Sequence, residues 1–242
     1  ALGIDVGGSG VKAAPVDLRT GKRLAKRRRI PTPQPSTPEA VYDVIEELVA
    51  AFEWRGPIGC ALPSVVRHGI VYTAANIDDA WIGKDAAADL EERLGRPVHL
   101  LNDADAAGLA ENVLGAARDL DGVVMLLTLG TGIGSAIFTD GVLVPNTELG
   151  HLEFKGVDAE TYAAARVVAA GLDQATWALR LNEYLLYVES ILPPDYFILG
   201  GGISKNFDQY AASLTTSAEV LPARFRNRAG IIGAALATGG VA

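Results

Sequence analysis

The sequence contains few of the residues that form disulfides, metal clusters or membrane spans. Its 242 residues include one cysteine, Cys60, which excludes an internal disulfide and a cysteine-based metal cluster and suits a reducing cytoplasm. Cys60 lies in the apolar segment IGCALP, where a buried structural thiol is expected rather than a nucleophile. No apolar run is long enough to cross a bilayer and no signal-peptide pattern opens the chain, so we expect a cytoplasmic protein without a membrane partner.

Positive charge is also scarce. Lysine and arginine number 21 against 29 aspartates and glutamates, and the resulting net charge of −8 argues against nucleic acid as the main partner. One segment departs from this balance: Lys22–Arg29 (KRLAKRRR), the basic run, has six cations in eight residues. A run of this kind is usually a solvated strand face, and the functional alternative is a track for a polyanion.

What the sequence does have is a strand–glycine turn–strand unit that occurs twice. The first copy covers residues 1–21 (ALGIDVGGSGVKAAPVDLRTG) and the second covers residues 124–141 (VMLLTLGTGIGSAIFTDG). In each copy an apolar run ends in a glycine-rich turn, and an alternating strand then leads to a second turn. Two such turns facing each other across a cleft would present backbone N–H groups to phosphate from both sides, which predicts a phosphoryl-transfer enzyme.

Strands alternate with helices along the rest of the chain. Thr37 and Pro38 predict the cap and first residue of a helix. Further strands are predicted at 57–66, 97–101 and 196–199, and further helices at 84–94, 104–117, 158–170, 174–192 and 230–239. This order predicts an α/β fold of two related lobes, a small N-terminal lobe at 1–105 and a larger C-terminal lobe at 106–229, with the last helix (230–242) packing back on the first.

The first glycine motif, IDVGGSGVK, does not fit a dinucleotide fingerprint. Residues 11–16 continue as a strand, and Pro15 would break the helix that the fingerprint requires. We interpret the motif as a tight hairpin whose glycines permit φ > 0 and close approach to an anion, with Lys12 as an added cation. Asp5 is assigned to a hydrated Mg²⁺ held against the phosphates; the alternative is an ordinary turn with a surface aspartate. The turn residues assigned to phosphate are Gly7, Gly8, Ser9 and Gly10.

Two further glycine clusters are candidates for phosphate or nucleotide binding. In the second copy, Gly130, Thr131 and Gly132 offer N–H groups and a hydroxyl without side-chain obstruction. Later in the chain, Gly200, Gly201 and Gly202 follow a predicted strand and open a predicted helix, whose N-terminus favours anions. The alternative for three adjacent glycines is a strained turn.

Asn102 and Asp103 lie where a predicted strand ends and a helix begins, which is where α/β proteins place chemistry. A carboxylate at Asp103 would accept the proton of a substrate hydroxyl as that hydroxyl attacks phosphorus. The alternative is a plain helix N-cap, for which Asp105 competes. Side chains suited to a polyol are Asn76, Asp79, Glu148, His151 and Glu160. His151 with Glu148, Glu153 and Glu160 is also a possible metal site, which the lack of a second His or Cys disfavours.

Five motifs occur in order along nearly the whole chain: IDVGGSGVK, LNDADAAG, LTLGTGIGSA, ELGHLEF and FILGGGIS. In this order they resemble the ROK family (repressors, open reading frames and sugar kinases) of the actin-like ATPase, or ribonuclease H-like, superfold, which has two duplicated lobes and a cleft between them. The resemblance implies a sugar kinase in which Asp103 is the general base. The hexose contacts that it implies are Ser64, Asn76, Asn102, Asp103, Glu148, His151 and Glu160.

The sequence departs from the family between His151 and Glu160, where a short LEFKGVDA stands in place of the usual Cys-rich zinc loop, so no zinc site is expected. This short form, together with TAANIDDAWIG, resembles the polyphosphate glucokinase branch. That branch implies inorganic polyphosphate and ATP as phosphate donors, Mg²⁺, glucose or mannose as acceptor, and a homodimer. It also gives the basic run a role. Further candidate cations for polyphosphate are Arg67, Arg224, Arg226 and Arg228.

Three alternatives stay open on the sequence. The first is a hexose or N-acetylhexosamine kinase that uses ATP only. The second is a sugar-sensing repressor, whose DNA-binding module is expected before the first hairpin, where none is found. The third is a filament-forming actin-like ATPase, against which the sugar-contact cluster argues.

Overall fold

The structure is a computed structural model that describes residues 1–75 and 77–239. The chain groups into two compact units: unit 1 comprises Ala1–Ala110 and the chain from Arg228 onward, and unit 2 comprises Glu111–Asn227. The lobe boundaries expected from the sequence, after residues 105 and 229, stay a prediction.

Unit 1 is built on a five-stranded mixed sheet. Its strands are β1 (Leu2–Gly7), β2 (Gly10–Pro15), β3 (Arg28–Ile30), β4 (Ile58–Leu62) and β7 (Val98–Asn102), and a small hairpin of β5 (Val66–Arg67) and β6 (Ile70–Val71) follows β4. The order across the sheet is β3-β2-β1-β4-β7. β1, β2 and β3 pair antiparallel, whereas β1, β4 and β7 pair parallel. The carboxyl ends of the three parallel strands therefore share one edge.

A local capping signal marks the start of one helix, and glycines in the sheet let another helix pack closely. They are α1 (Pro38–Ala51), α2 (Ala86–Leu94), α3 (Asp103–Leu114), α4 (Ala159–Ala163), α5 (Arg166–Ala169), α6 (Gln174–Ile191) and α7 (Ala229–Ala237), with short 3₁₀ segments at Asp79–Trp81, Leu149–His151, Gly202–Gln209, Ala211–Ser213 and Arg226–Arg228. Thr37 caps α1 as predicted. α7 packs so close to the unit 1 sheet that a Cβ at Gly3 or Gly59 would lie 1.9 or 1.7 Å from one of its carbonyl oxygens. Both positions therefore require glycine.

Unit 2 repeats the strand order of unit 1. Its main strands are β8 (Val123–Leu129), β9 (Ile133–Thr139), β10 (Val142–Val144), β13 (Tyr196–Gly200) and β14 (Glu219–Pro222), and β11 (Glu153–Phe154) and β12 (Val157–Asp158) form a separate hairpin. The order across the sheet is β10-β9-β8-β13-β14. The first three strands pair antiparallel and the last two continue parallel to β8. The predicted α/β class with a duplicated, hairpin-led sheet is confirmed.

Several element boundaries differ from the sequence prediction. The helix expected at 158–170 is two short helices, because Ala164 is extended (φ −62°, ψ 155°) between α4 and α5. The segment after Gly201 is a 3₁₀ helix with a kink at Asn206 rather than an α-helix. The helix expected at 104–117 ends at Leu114, where the buried Glu111 carboxylate accepts the N–H of Ala116.

Each unit has its own apolar core. Tyr42 and Trp81 pack edge to face in the core of unit 1, and Trp177 and Tyr210 do so in the core of unit 2. Helices long and apolar enough to cross a membrane are absent from residues 1–75 and 77–239.

Candidate active site

The first glycine turn joins β1 to β2 at the end of the unit 1 sheet. Gly7 pairs with Gly10, so Gly8 and Ser9 form a two-residue turn. Within the described chain, none of these glycines has φ in the left-handed region, so the expectation of φ > 0 is wrong here. The turn needs glycine for clearance instead: a Cβ at Gly10 would lie 2.4 Å from the Nε atom of Arg29.

Three charged side chains form a row beside this turn. Asp5, Lys12 and Arg29 are register partners on β1, β2 and β3. Lys12 Nζ donates to Asp5 Oδ2 at 3.1 Å, and the Arg29 guanidinium donates to the backbone carbonyl of Ser9. The row therefore puts two cations beside a turn whose own groups suit an anion.

Asp5 also lies at the N-terminus of α7. A Cβ at Gly230, the second residue of that helix, would be 3.1 Å from the Asp5 Cγ atom. The positive end of the helix dipole stabilises a carboxylate in this position. Among the described residues, Asp5 Oδ2 bonds to Lys12 and Oδ1 makes no hydrogen bond. One available carboxylate oxygen fits a hydrated Mg²⁺, which keeps several of its waters.

Direct metal coordination by several side chains has no support in the described part of the chain. No group of three or more His, Cys, Asp and Glu side chains in it is placed to hold a metal ion. Within the described residues, the structure therefore does not arrange His151, Glu148, Glu153 and Glu160 as a metal site.

The Asn102-Asp103 pair lies where β7 ends and α3 begins. Asn102 is the N-cap, because its Oδ1 accepts from the N–H groups of Ala104 at 2.8 Å and Asp105 at 3.1 Å. The sequence had left an aspartate cap at Asp103 or Asp105 open as an alternative, and the structure instead shows the Asn102 side chain accepting from both N–H groups. Asn102 Nδ2 donates to the Ser64 carbonyl at 3.1 Å, so its amide is largely occupied by the protein.

Ser64 carries a buried hydroxyl next to this strand end. The residue is 2% exposed, and its Oγ has no hydrogen-bond partner among the described residues. A buried polar group left in this state costs about 1–3 kcal/mol, which a ligand hydroxyl would recover. Asn76, another predicted sugar contact, lies outside the described residues. Asp79 is exposed at the start of a 3₁₀ helix.

The second glycine turn joins β8 to β9 in unit 2. Its residues are Gly130, Thr131 and Gly132, between the register partners Leu129 and Ile133. The Gly130 N–H donates to the Gly132 carbonyl at 3.0 Å, and the Gly130 carbonyl accepts from the Arg166 N–H at 3.0 Å. The start of α5 therefore holds this turn in place.

Glu160, the predicted sugar contact on α4, lies against this second turn. Its Oε2 atom accepts from the Ile133 N–H at 3.3 Å, and its Oε1 atom lies 3.6 Å from an Arg166 guanidinium nitrogen. A Cβ at Gly132 would be 2.3 Å from Glu160 Oε2. Glycine at 132 thus makes room for the carboxylate, in the same way that Gly10 makes room for Arg29.

The third glycine cluster lies beside the end of β8. Gly200 is the register partner of Thr128. Gly201 has φ +82°, and a Cβ there would lie 2.2 Å from the Leu129 carbonyl oxygen, so both conformation and clearance require glycine. This cluster and the second turn therefore border the same strand end.

The 3₁₀ turn that bears Glu148 and His151 is held tightly against β9. A Cβ at Gly150 would lie 2.2 Å from the Ile133 carbonyl oxygen, which explains glycine there. The Tyr184 hydroxyl donates to the Leu149 carbonyl at 3.1 Å. These contacts place Glu148 and His151 near the second glycine turn.

Glu148, His151 and Glu160 interact electrostatically. Burial raises the pKa of Glu148 above its usual value; the nearby Glu160 charge adds to the increase, and His151 opposes it. His151 Nε2 lies 3.9 Å from Glu148 Oε2. The structure thus brings together the three sugar contacts predicted in unit 2.

Asp158 and Arg166 are site residues that the sequence did not identify. Asp158, at the end of β12, places Oδ2 3.2 Å from His151 Nδ1 and so orients the imidazole. Its hairpin turns at Lys155 and Gly156, both with positive φ, and Lys155 Nζ donates to the Tyr162 hydroxyl at 3.1 Å. The Lys155-Gly156 pair is a turn signal, but no local pattern shows that Asp158 reaches His151.

The four isolated arginines predicted for polyphosphate are exposed. The Arg67 guanidinium lies 5.5 Å from the Tyr72 ring centroid, and the Arg224 guanidinium lies 5.9 Å from that of Phe225. Arg226 has φ +52°, and Arg228 precedes the first residue of α7. Hydrogen bonds tie two of the predicted cations, Lys12 and Arg29, to the first glycine turn and its row.

Comparisons with known proteins show the family to which the chain belongs. The ROK family model matches residues 1–164. The chain is 49% identical to a polyphosphate glucokinase of Mycobacterium tuberculosis over 98% of its length and 90% of that protein, and 46% identical to one of Mycobacterium leprae over 98% of its length and 74% of that protein.

Solved structures agree with these sequence relatives. An inorganic polyphosphate/ATP-glucomannokinase from Arthrobacter sp. strain KM matches with a TM-score of 0.93 and 48% identity, covering 98% of this chain and 97% of that one. A ROK family glucokinase from Streptomyces griseus in complex with glucose and AMPPNP matches with a TM-score of 0.80 and 26% identity, covering 97% of each chain. The chain belongs to the ROK family, and its relatives include actin-like sugar kinases of known structure.

Proposed function

We propose that the protein transfers a phosphoryl group from inorganic polyphosphate or ATP to the 6-hydroxyl of glucose, with mannose as a second acceptor. The observation that carries this proposal is the strand end of β7. There Asn102 caps the helix that Asp103 begins and bonds to Ser64, whose buried hydroxyl has no hydrogen-bond partner among the described residues. The similarity to the mycobacterial polyphosphate glucokinases and to the Arthrobacter glucomannokinase supports the choice of donors and sugars.

Asp103 is the general base in this proposal. It is the first residue of α3, directly after the Asn102 cap. A carboxylate there accepts the proton of the 6-hydroxyl as the oxygen attacks phosphorus, and positioning supplies most of the remaining catalysis. Asn102 contributes by fixing the helix start, and its spare amide N–H is proposed to contact the sugar.

The sugar hydroxyls are bound by Ser64, Asn76, Glu148, His151 and Glu160 in this proposal. Carboxylates accept from neighbouring hydroxyls, and an imidazole held by Asp158 offers Nε2 as a partner. Burial raises the pKa of Glu148, so this carboxyl takes up a proton at a higher pH than an exposed glutamate does, and in the protonated form it donates instead of accepting.

The donor phosphates are bound by the glycine turns together with Lys12. Backbone N–H groups and small side chains allow close approach, and cations neutralise the charge. The proposed groups are Gly7, Gly8, Ser9, Gly10, Gly130, Thr131, Gly132, Gly200, Gly201 and Gly202. Mg²⁺, held through water by Asp5, would supply further charge neutralisation on the donor phosphates. A homodimer in the cytoplasm, without nucleic acid or zinc, completes the proposal.

A donor-by-sugar activity matrix tests this function. Long-chain polyphosphate freed of ATP, tripolyphosphate and ATP are each combined with glucose, mannose and N-acetylglucosamine, with and without Mg²⁺. The proposal expects turnover of glucose with both polyphosphate and ATP, and loss of turnover without Mg²⁺. Turnover with ATP but not with polyphosphate would identify an ATP-dependent hexose kinase instead. Turnover of N-acetylglucosamine in preference to glucose would contradict the assigned acceptor.

Asp103→Ala tests the general base. We expect kcat to fall about 10²- to 10⁴-fold while the dissociation constant for glucose stays within a small factor, because the hydroxyl loses its proton acceptor and keeps its other contacts. Calorimetry with glucose gives the binding constant, and coupled assays give kcat. Asp119→Ala, which removes a carboxylate that is 93% exposed, is the matched control. An Asp103→Ala variant with near-normal turnover would refute the assignment.

A further inference from the structure

The basic run lies alongside β2 and ends at the first glycine turn. Arg23 bridges to Val16 and the Leu24 N–H donates to the Pro15 carbonyl at 2.8 Å, so the run begins beside the far end of β2. Arg29, its last residue, pairs with Lys12 and donates to the Ser9 carbonyl. β2 has six residues, so the run extends roughly 20 Å along it at about 3.3 Å per residue.

The cations of the run are exposed and largely uncompensated. All eight residues are exposed. Within the described part of the chain, no carboxylate forms a salt bridge with Lys22, Arg23, Lys26 or Arg27, whereas Lys84, Arg93 and Lys155 elsewhere are each paired with a glutamate or aspartate. Four cations within six residues, none in a salt bridge with a described carboxylate, indicate a place for an anion in a protein of net charge −8.

A structural explanation competes with a ligand. β3 is the outer strand of its sheet, and edge strands often carry lysine or arginine to prevent pairing with other chains. That explanation covers Arg28 and Arg29, the two run residues in β3. It does not cover Lys22, Arg23, Lys26 and Arg27, which precede the strand.

We propose that Lys22, Arg23, Lys26 and Arg27 bind the inner phosphates of a linear polyphosphate whose end lies at the first glycine turn. This inference rests on the proposed function and names the substrate feature that the run recognises, which is chain length. The three phosphates of a nucleoside triphosphate form too short a chain to extend from the turn along the whole run. The run therefore favours long chains over tripolyphosphate and ATP.

Replacing Lys22, Arg23, Lys26 and Arg27 together by glutamine tests the inference. The control replaces Arg19, Arg55, Arg118 and Lys205, four exposed cations outside the run, and so changes the net charge equally. Binding of long-chain polyphosphate is measured directly by calorimetry at two salt concentrations, and KM is measured for long-chain polyphosphate, tripolyphosphate and ATP.

We expect the run variant to weaken long-chain binding and raise its KM about ten- to thirtyfold, the combined effect of four ordinary surface ion pairs. Its salt dependence should also fall, because fewer counterions are released on binding. KM for tripolyphosphate and ATP should change less than about threefold, and the control should resemble the wild type.

Three results would overturn the inference. They are long-chain binding unchanged in the run variant, an equal loss in the control variant, or equally tight binding of a single-stranded oligonucleotide, which would mark a general polyanion surface. If the protein binds long-chain polyphosphate through the run but uses only ATP as phosphate donor, the proposed donor is contradicted. The role of the run as a polyphosphate-binding site is then still supported. The binding and turnover measurements therefore separate the two failures.

Discussion

The two units share one strand order but place different charged side chains directly against their glycine turns. In unit 1 the turn borders Lys12 and Arg29, whose guanidinium reaches the Ser9 carbonyl. In unit 2 the turn borders Glu160, which accepts the Ile133 N–H. In each case a glycine without Cβ leaves space for the charged side chain, Gly10 for arginine and Gly132 for glutamate.

The difference shows that a duplicated scaffold has diverged at its turns rather than in its topology. The residue two positions before the first glycine is Asp5 in unit 1 and Thr128 in unit 2, and their antiparallel partners are Lys12 and Gly134. Cations suit phosphate, whereas carboxylates suit sugar hydroxyls. The comparison predicts that changing the cations beside the first turn affects the donor, and that changing Glu160 beside the second turn affects the sugar.

The largest effect is expected when Asp5, whose counterpart in unit 2 is the uncharged Thr128, is changed. Asp5→Asn removes the carboxylate at the α7 N-terminus, and we expect kcat with ATP to fall about 10²-fold or more, because donor charge loses its Mg²⁺-binding partner. Thr128→Val, the matched change in unit 2, should alter kcat by less than about threefold. Steady-state assays over a range of Mg²⁺ concentrations measure both. Equal losses in the two variants would remove the proposed asymmetry.

A pair of glycine substitutions separates donor from sugar binding. In Gly10→Ala the new Cβ displaces Arg29, and we expect donor KM to rise about tenfold while sugar KM stays unchanged. In Gly132→Ala the new Cβ displaces Glu160, so sugar KM should rise by a similar factor, and donor KM should rise as well because Gly132 belongs to the proposed phosphate site. Both contacts involve the far end of a flexible side chain, so the fold should survive. Melting temperatures check this, and the reverse pattern of KM changes would contradict the comparison.

A smaller effect is expected at the Asp158–His151 pair. Asp158→Asn should raise sugar KM up to about fivefold with kcat nearly unchanged, because the two side chains are 56% and 46% exposed and solvent weakens their interaction. Asp119→Asn is the control. Nitrogen NMR of the imidazoles should show a changed protonation pattern at one of the three histidines, identified with His151→Gln. Unchanged imidazole signals would show that Asp158 does not orient His151.

The smallest effect concerns the pH dependence of stability. Burial raises the pKa of Glu148 above 4.5, so the native state ionises this carboxyl less readily than the unfolded chain does. The stability that the protonated Glu148 carboxyl contributes is fully present at low pH and is lost as the pH rises through the pKa of the native state. Glu148→Gln lacks this loss, so we expect it to gain stability relative to the wild type.

The gain should appear as the pH rises from about 4 towards 7 and should stay below about 1 kcal/mol, because the side chain is 37% exposed. Melting temperatures of both proteins across this range measure it. If the wild type instead becomes more stable relative to Glu148→Gln as the pH rises, burial does not raise the pKa of Glu148.

Local signals predicted some features well and others poorly. The Thr37-Pro38 start of α1 and the strand-to-helix boundary at Asn102-Asp103 are readable because capping depends on neighbouring residues. The choice of Asn102 as cap was missed because adjacent Asn and Asp residues have similar capping preferences. The break between α4 and α5 was missed because the Gly130 carbonyl, distant in sequence, receives the Arg166 N–H.

The amino-acid sequence alone determined the repeated hairpins, the glycine positions, the strand-end carboxylate and the family, because each depends on residue order over short spans. Only the tertiary structure decided why the glycines at 10 and 132 are required and which side chains border each turn. It also decided that Asp158 contacts His151. These features depend on distances between residues that are far apart in the chain, and only the packed sheets and hairpins set those distances.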